Sequence, residues 1–197
     1  ERRGGDARPP AVAAAAGLAF AGFAKKAVAS ASDLEESTNA VGVAFGDAAN
    51  DVLAFGEDSA TSYGMSKTAF NEAAVGFSSF AQEIAGSSGD VAGTLDDLMT
   101  RATDMGSVFN VEVPDAAAAM KSALAGEAEP MKRFGVIMSE AKVQAYALAN
   151  GIIEQGESMT DAQKQTARYG YLMEATNKVA GDFENDEALR RVERYFG

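Results

Sequence analysis

Apolar side chains recur at helical spacing along most of the 197 residues, and that recurrence predicts an all-α chain. The clearest stripe is Phe70, Ala73, Ala74, Phe77, Phe80, Ala81 and Ile84, preceded by Ser66 in position to cap the helix that carries it. After a flexible connection over residues 85–90, Leu95, Leu98, Met99, Ala102 and Met105 form a second stripe. A methionine-rich stripe of this kind is usually core, and a ligand groove is the sharper alternative. Val111-Glu-Val-Pro114 reads as an extended approach to a helix opened by Pro114, with Asp115 in its first turn and Ala119, Met120, Ala123 and Leu124 buried. Upstream, Asp33 is placed to cap a helix with Glu35 and Glu36 in the first turn, where the helix dipole favours negative charge, and Leu34, Val41 and Phe45 along one side. Downstream, Thr160 and Gln163 have the spacing of a capping box, followed by Tyr169, Leu172, Met173, Thr176 and Ala180 on one stripe. No run of β-branched residues alternates for long enough to predict a strand; the candidate at Val108 to Val113 is short.

Between these helices, Gly126 to Glu140 packs several local signals into a few residues. Gly126 ends one helix, Pro130 opens a single basic turn carrying Lys132 and Arg133, Gly135 takes a left-handed cap, and Ser139 caps the next helix. That helix should run through Val143, Tyr146, Ala147 and Leu148 to a stop at Asn150-Gly151. The lone large aromatic of the turn, Phe134, is expected to insert between helices, with Arg133 paired to Glu127 or Glu129. Gly126, Glu127, Glu129, Pro130, Arg133, Phe134, Gly135 and Ser139 therefore define a structural corner with no catalytic constellation.

The first residues are unlike the rest. Residues 1–10 carry three Arg, two Gly and two Pro and lack a starting Met, which reads as a start inside a longer or processed protein. From Ala11 to Ala24 the chain is an uninterrupted run of apolar residues and glycine, ending at Lys25-Lys26. As a helix this run would be about 21 Å long, short of the roughly 20 residues needed to cross a bilayer core. Three readings remain: a signal peptide, with Arg2-Arg3 before the run and Ala29-Ser30-Ala31 as a cleavage site; a membrane-active segment; or a helix packed against sister chains. The third fits the composition best, because alanine and glycine allow close helix approach while Phe20 and Phe23 supply bulk.

Composition narrows the chemistry. The chain has no Cys and no His, which excludes disulfides and thiolate metal sites and removes the commonest metal ligand and general base. Carboxylate pairs remain. Glu127 with Glu129 and Asp96 with Asp97 are the close ones, but neighbours at such spacing do not share a helix face, so a two-acid hydrolytic site is disfavoured. No metal or cofactor is called for. The net charge of −12 opposes nonspecific grip on nucleic acid, whose affinity comes from Lys and Arg neutralising phosphates. Much of the 47% hydrophobic content is alanine and there is no Trp, so the core is expected to be thin and to favour stabilisation by neighbouring chains.

Five segments resemble, in order, the tape measure (minor tail) proteins of long-tailed bacteriophages. They are Ala31 to Asp47 (ASDLEESTNAVGVAFGD), Ala60 to Ser66 (ATSYGMS), the corner with its flanks (ALAGEAEPMKRFGVIMSEAKVQ), Ala162 to Tyr169 (AQKQTARY) and Ala180 to Phe183 (AGDF). The resemblance covers most of the chain from Ala31 to Phe183. It implies a structural virion component that lies in the tail tube lumen or tail tip, scaffolds tube assembly, sets tail length and leaves during genome ejection. The partners it implies are copies of itself, as a homotrimer, with tail tube protein, distal tail and tail-tip proteins and tail assembly chaperones. It also implies contact between the apolar run and the host membrane during ejection, and no specific nucleic-acid binding. A secreted helical effector or membrane-active pore-former is the alternative that the apolar run motivates.

The organisation expected is an Arg/Pro start and Ala-rich apolar helix over 1–31, a tape-measure-like helical domain over 32–185, and a C-terminal amphipathic helix over 186–197. In that last stretch Leu189, Val192 and Phe196 share a face, and it departs from the family pattern in the way a non-contiguous piece would. Gly or Pro interrupts the helices every ten to twenty residues and no heptad seam persists, so this segment is not itself a long ruler.

Overall fold

The computed structural model describes residues 11–86 and 89–181, with side chains for residues 27, 29–86 and 89–181. The chain divides into two compact units, Glu1–Glu36 and Ser37–Gly197. Among the described residues every regular element is helical: α1 (Ala11–Phe45), α2 (Ala49–Glu57), α3 (Ser59–Ser62), α4 (Lys67–Ala85), α5 (Val91–Phe109), α6 (Val113–Leu124), α7 (Glu140–Ala149) and α8 (Asp161–Ala175). Short 3-10 turns occupy Gly46–Ala48, Glu129–Phe134 and Asn177–Val179.

The capping signals act where the sequence places them. The Ser66 hydroxyl accepts from the Ala69 amide at the start of α4, and Ser139 does the same for Lys142 at the start of α7. Both halves of the Thr160–Gln163 capping box are made at the start of α8. Glu112 is extended and Pro114 stands in the first turn of α6, where a missing N–H costs nothing. One boundary is different. The predicted helix start at Asp33 does not exist, because α1 runs without a break through that position. No Gly or Pro interrupts the chain between Lys25 and Val41, and extending an alanine-rich helix costs far less than nucleating a new one. α1 is thus also longer than the predicted spacing of helix breaks allows.

In the second unit α4, α5 and α6 pack on one another, α2 joins α4 and α5, and α8 lies against α4, α6 and α7. The stripes read from the sequence face this core. Phe70 and Phe77 of α4, Leu95, Leu98, Met99 and Met105 of α5, and Met120 and Leu124 of α6 are all fully buried, joined by Val41 and Phe45. The methionine-rich stripe is core. Two positions leave their predicted stripes: Leu148 is exposed at the end of α7, and Ala180 is exposed because α8 stops at Ala175 and the following 3-10 turn buries Val179 instead. The apolar side chains Phe20 and Phe23 and the predicted helix over 186–197, with Leu189, Val192 and Phe196, lie outside the residues whose side chains are described.

Candidate functional site

The corner is built as a sequence of local caps. α6 ends at Leu124, and Gly126 follows with φ at 97°, a left-handed conformation that L side chains rarely adopt. Glu129–Phe134 then forms a 3-10 turn with Pro130 at its start, closed by Gly135 at φ 72°. Met131 and Phe134 point inward and are fully buried, while Lys132 and Arg133 remain outside. Phe134 meets Phe109, the last residue of α5, edge to face with ring centroids 5.2 Å apart. The ring therefore pins the corner to the end of a core helix, as its isolation among polar neighbours predicts.

Arg133 does not find the predicted partner. Its guanidinium donates to the Asp115 backbone carbonyl at 2.9 Å and lies 4.6 Å from the centroid of the Phe134 ring. Glu129 instead pairs with Lys132 at 2.6 Å across one turn, and Glu127 is exposed. A 3-10 turn places residues three apart on one side, which favours Glu129 with Lys132 and turns Arg133 towards α6.

The arginine that ties the corner together is Arg168 of α8. It donates to Glu140, the first residue of α7, at 2.8 Å and to the carbonyl of Leu124, the last residue of α6, at 3.4 Å. One side chain thus bridges both helices that the corner joins. Gly126 is required by its positive φ, and a Cβ there would also sit 2.8 Å from the Arg168 guanidinium, which would have to shift. Sequence reasoning missed Arg168 because its partners are 28 and 44 residues away and no local pattern announces them.

A second polar region runs along α5. The neighbouring carboxylates Asp96 and Asp97, disfavoured as a two-acid site, point to different partners, because consecutive positions on a helix diverge by about 100°. Asp96 accepts from the Tyr63 hydroxyl, and Asp97 from the Tyr169 hydroxyl at 3.1 Å. Burial, with the Asp96 hydrogen bond and charge, pushes the Tyr63 hydroxyl well above the usual tyrosine range. Burial and the Asp97 charge push Tyr169 up to about 12, against a smaller opposing effect from Arg101. Further along, Arg101 donates to the Met173 carbonyl and the Thr176 hydroxyl, both at 3.2 Å, and Asp104 accepts from the Gly181 amide at 2.7 Å. Arg101 and Asp104 are both buried, in the half of α5 whose apolar stripe is carried by Ala102 and Met105.

An open groove of about 190 Å³ lies between α4 and α6, floored by Phe77 and small residues including Ala73, Gly76 and Ala117, with Glu72 and Lys121 at its rim. Among the described residues no group of His, Cys, Asp or Glu is placed to hold a metal ion, and no helix is long and apolar enough to cross a membrane. Chemically, the corner and the α5 seam act as joints: Asp96, Asp97, Asp104, Glu129 and Glu140 are each committed to a tyrosine, a lysine, an arginine or a backbone amide. Compared with protein-family models, curated proteins and solved structures, the chain has no match.

Proposed function

We propose that this chain is a portion of a phage tail tape measure protein, a structural and non-enzymatic component of the virion. The observation that carries the reading is the ordered set of five segments similar to that family, spread from Ala31 to Phe183. Residues within those segments are also the ones that meet: Glu140 of the corner segment pairs with Arg168 of AQKQTARY, and Gly181 of AGDF is held by α5. A ruler needs helix because the rise per residue is then fixed at about 1.5 Å. The short, capped helices of the second unit suit a folded plug or terminal domain, and the length-setting helix lies elsewhere in the protein. The partners are sister chains, as a homotrimer, tail tube protein, distal tail and tail-tip proteins and tail assembly chaperones. The net charge of −12 limits adhesion to DNA travelling through the same channel.

The test is genetic. Removing this coding segment from the virus that carries it should yield filled heads with no tails or tails of aberrant length, and restoring it in trans should rescue them. Normal, infectious tails without the segment, together with leakage of liposomes by the isolated chain, would replace this reading with the membrane-active effector that the run Ala11 to Ala24 suggests.

A further inference from the structure

Past the end of α8 two charged side chains of α5 hold the chain. α8 closes at Ala175, and a helix end leaves its last carbonyls without intrahelical partners. Arg101 supplies a donor there, reaching the Met173 carbonyl and the Thr176 hydroxyl, while that hydroxyl gives its own proton to the Leu172 carbonyl at 2.7 Å. One helical turn further along α5, Asp104 takes the Gly181 amide at 2.7 Å. Between these two points Val179 is inserted into the core and the 3-10 turn Asn177–Val179 closes on itself. Arg101 and Asp104 are 9% and 2% exposed, so both contacts are made out of bulk water, where charge-assisted hydrogen bonds are strongest.

We propose that Arg101 and Asp104 form a clasp that fastens residues 173–181 to α5, so that this segment opens together with the core rather than peeling from it. Irregular segments beside a core ordinarily exchange with little opening cost, whereas core helices open only with the whole domain. With the clasp, a pull on Gly181 is delivered to α5 in the middle of the fold, and α8 is not unwound from its end. Arg101 acts on the carbonyl side of the segment and Asp104 on its last amide, so each closes a different end of the same short loop.

Amide hydrogen exchange on the full chain tests this. The amides of Val179, Ala180 and Gly181 should be protected to within about tenfold of the amides of α5, as expected for one cooperative unit. Exchange at these three positions about a thousandfold faster than in α5 would be that of a fraying end and would overturn the proposal. The variant Asp104→Ala separates the clasp from core packing, because it deletes the carboxylate that accepts the Gly181 N–H, leaves Val179 unchanged and puts alanine, a favourable helix residue, inside α5. In this variant Val179 and Ala180 should lose at least about a hundredfold in protection while the amides of α4 keep theirs. Unchanged protection at Val179 and Ala180 in Asp104→Ala would show that Val179 burial alone holds the segment, and the clasp would be discarded.

Discussion

The corner from Gly126 to Ser139 and the seam between α5 and the end of α8 both join helices, yet they are made in opposite ways. The corner is a chain of local devices: a left-handed glycine, a proline-opened turn, a second left-handed glycine and a serine cap, each acting over three or four residues. The seam is made of contacts between residues 72 to 77 positions apart, with buried charged side chains spent on backbone groups and hydroxyls. A turn is thus specified by the residues in it, while a seam is specified only once the helices have met. The corner in addition borrows one long-range contact, Arg168, and that is where the two modes overlap.

The sharpest way to break this contrast is at the corner's own anchor. Phe134→Ala removes a fully buried ring and its contact with Phe109, and should destabilise the chain by about 3–5 kcal/mol in urea unfolding. A loss well under 1 kcal/mol would mean that the turn holds its place through its caps and that the ring is incidental. Next in size are the arginines. Arg168→Ala should cost about 1.5–3 kcal/mol, since it withdraws charged hydrogen bonds from the ends of both α6 and α7. Arg133→Ala should cost less, because Arg133 is exposed and its one hydrogen bond goes to a carbonyl in the first turn of α6. The reverse order would restore the local pairing that the sequence suggests and would remove Arg168 from the corner.

These arginines show where sequence reading stops. Phe70, Phe77, Leu95 and Met120 were legible as core because a helix repeats every 3.6 residues and burial selects one face. Ser66, Gly135, Ser139 and Thr160 were legible because each acts on a neighbour within one turn. Arg133 and Arg168 look alike in a sequence, and only the packing of α8 against α6 and α7 decides which of them bridges the corner. Asp33 misled because a good cap residue is also tolerated inside an alanine-rich helix that has no reason to stop. Buried Arg101, Asp104 and Asn71 were not legible at all, since charge and amide groups in a stripe normally signal a solvated face.

Smaller effects sharpen the comparison further. Ser139→Ala should cost about 1 kcal/mol through the lost cap on the Lys142 amide, read as a shift in the urea midpoint. A null result would transfer the start of α7 from the cap to the Arg168–Glu140 pair. The seam carries a pH signature. Tyr169 binds its proton more tightly in the folded chain, with a pKa raised from the ordinary tyrosine value of 10.0 to about 12, so its contribution is complete below pH 10 and is lost as pH rises towards 12. Between those values the folded state holds more protons than the unfolded one, and stability falls with increasing pH. Tyr169→Phe should flatten that decline, measured as the urea midpoint at pH 9 and pH 11.5. An unaltered decline would assign it to other groups, with Tyr63 beside Asp96 as the first to examine.

If these helices belong to a tail ruler, the tails of the virus that encodes them must contain them within one long polypeptide. Mass spectrometry of purified tails, combining tryptic peptides with the mass of the intact protein that yields them, measures this directly. The expected result is peptides from residues 37–181 on a chain far heavier than 20.4 kDa. Tails that lack these peptides, or that carry them on a free chain of 20.4 kDa, would contradict the assignment.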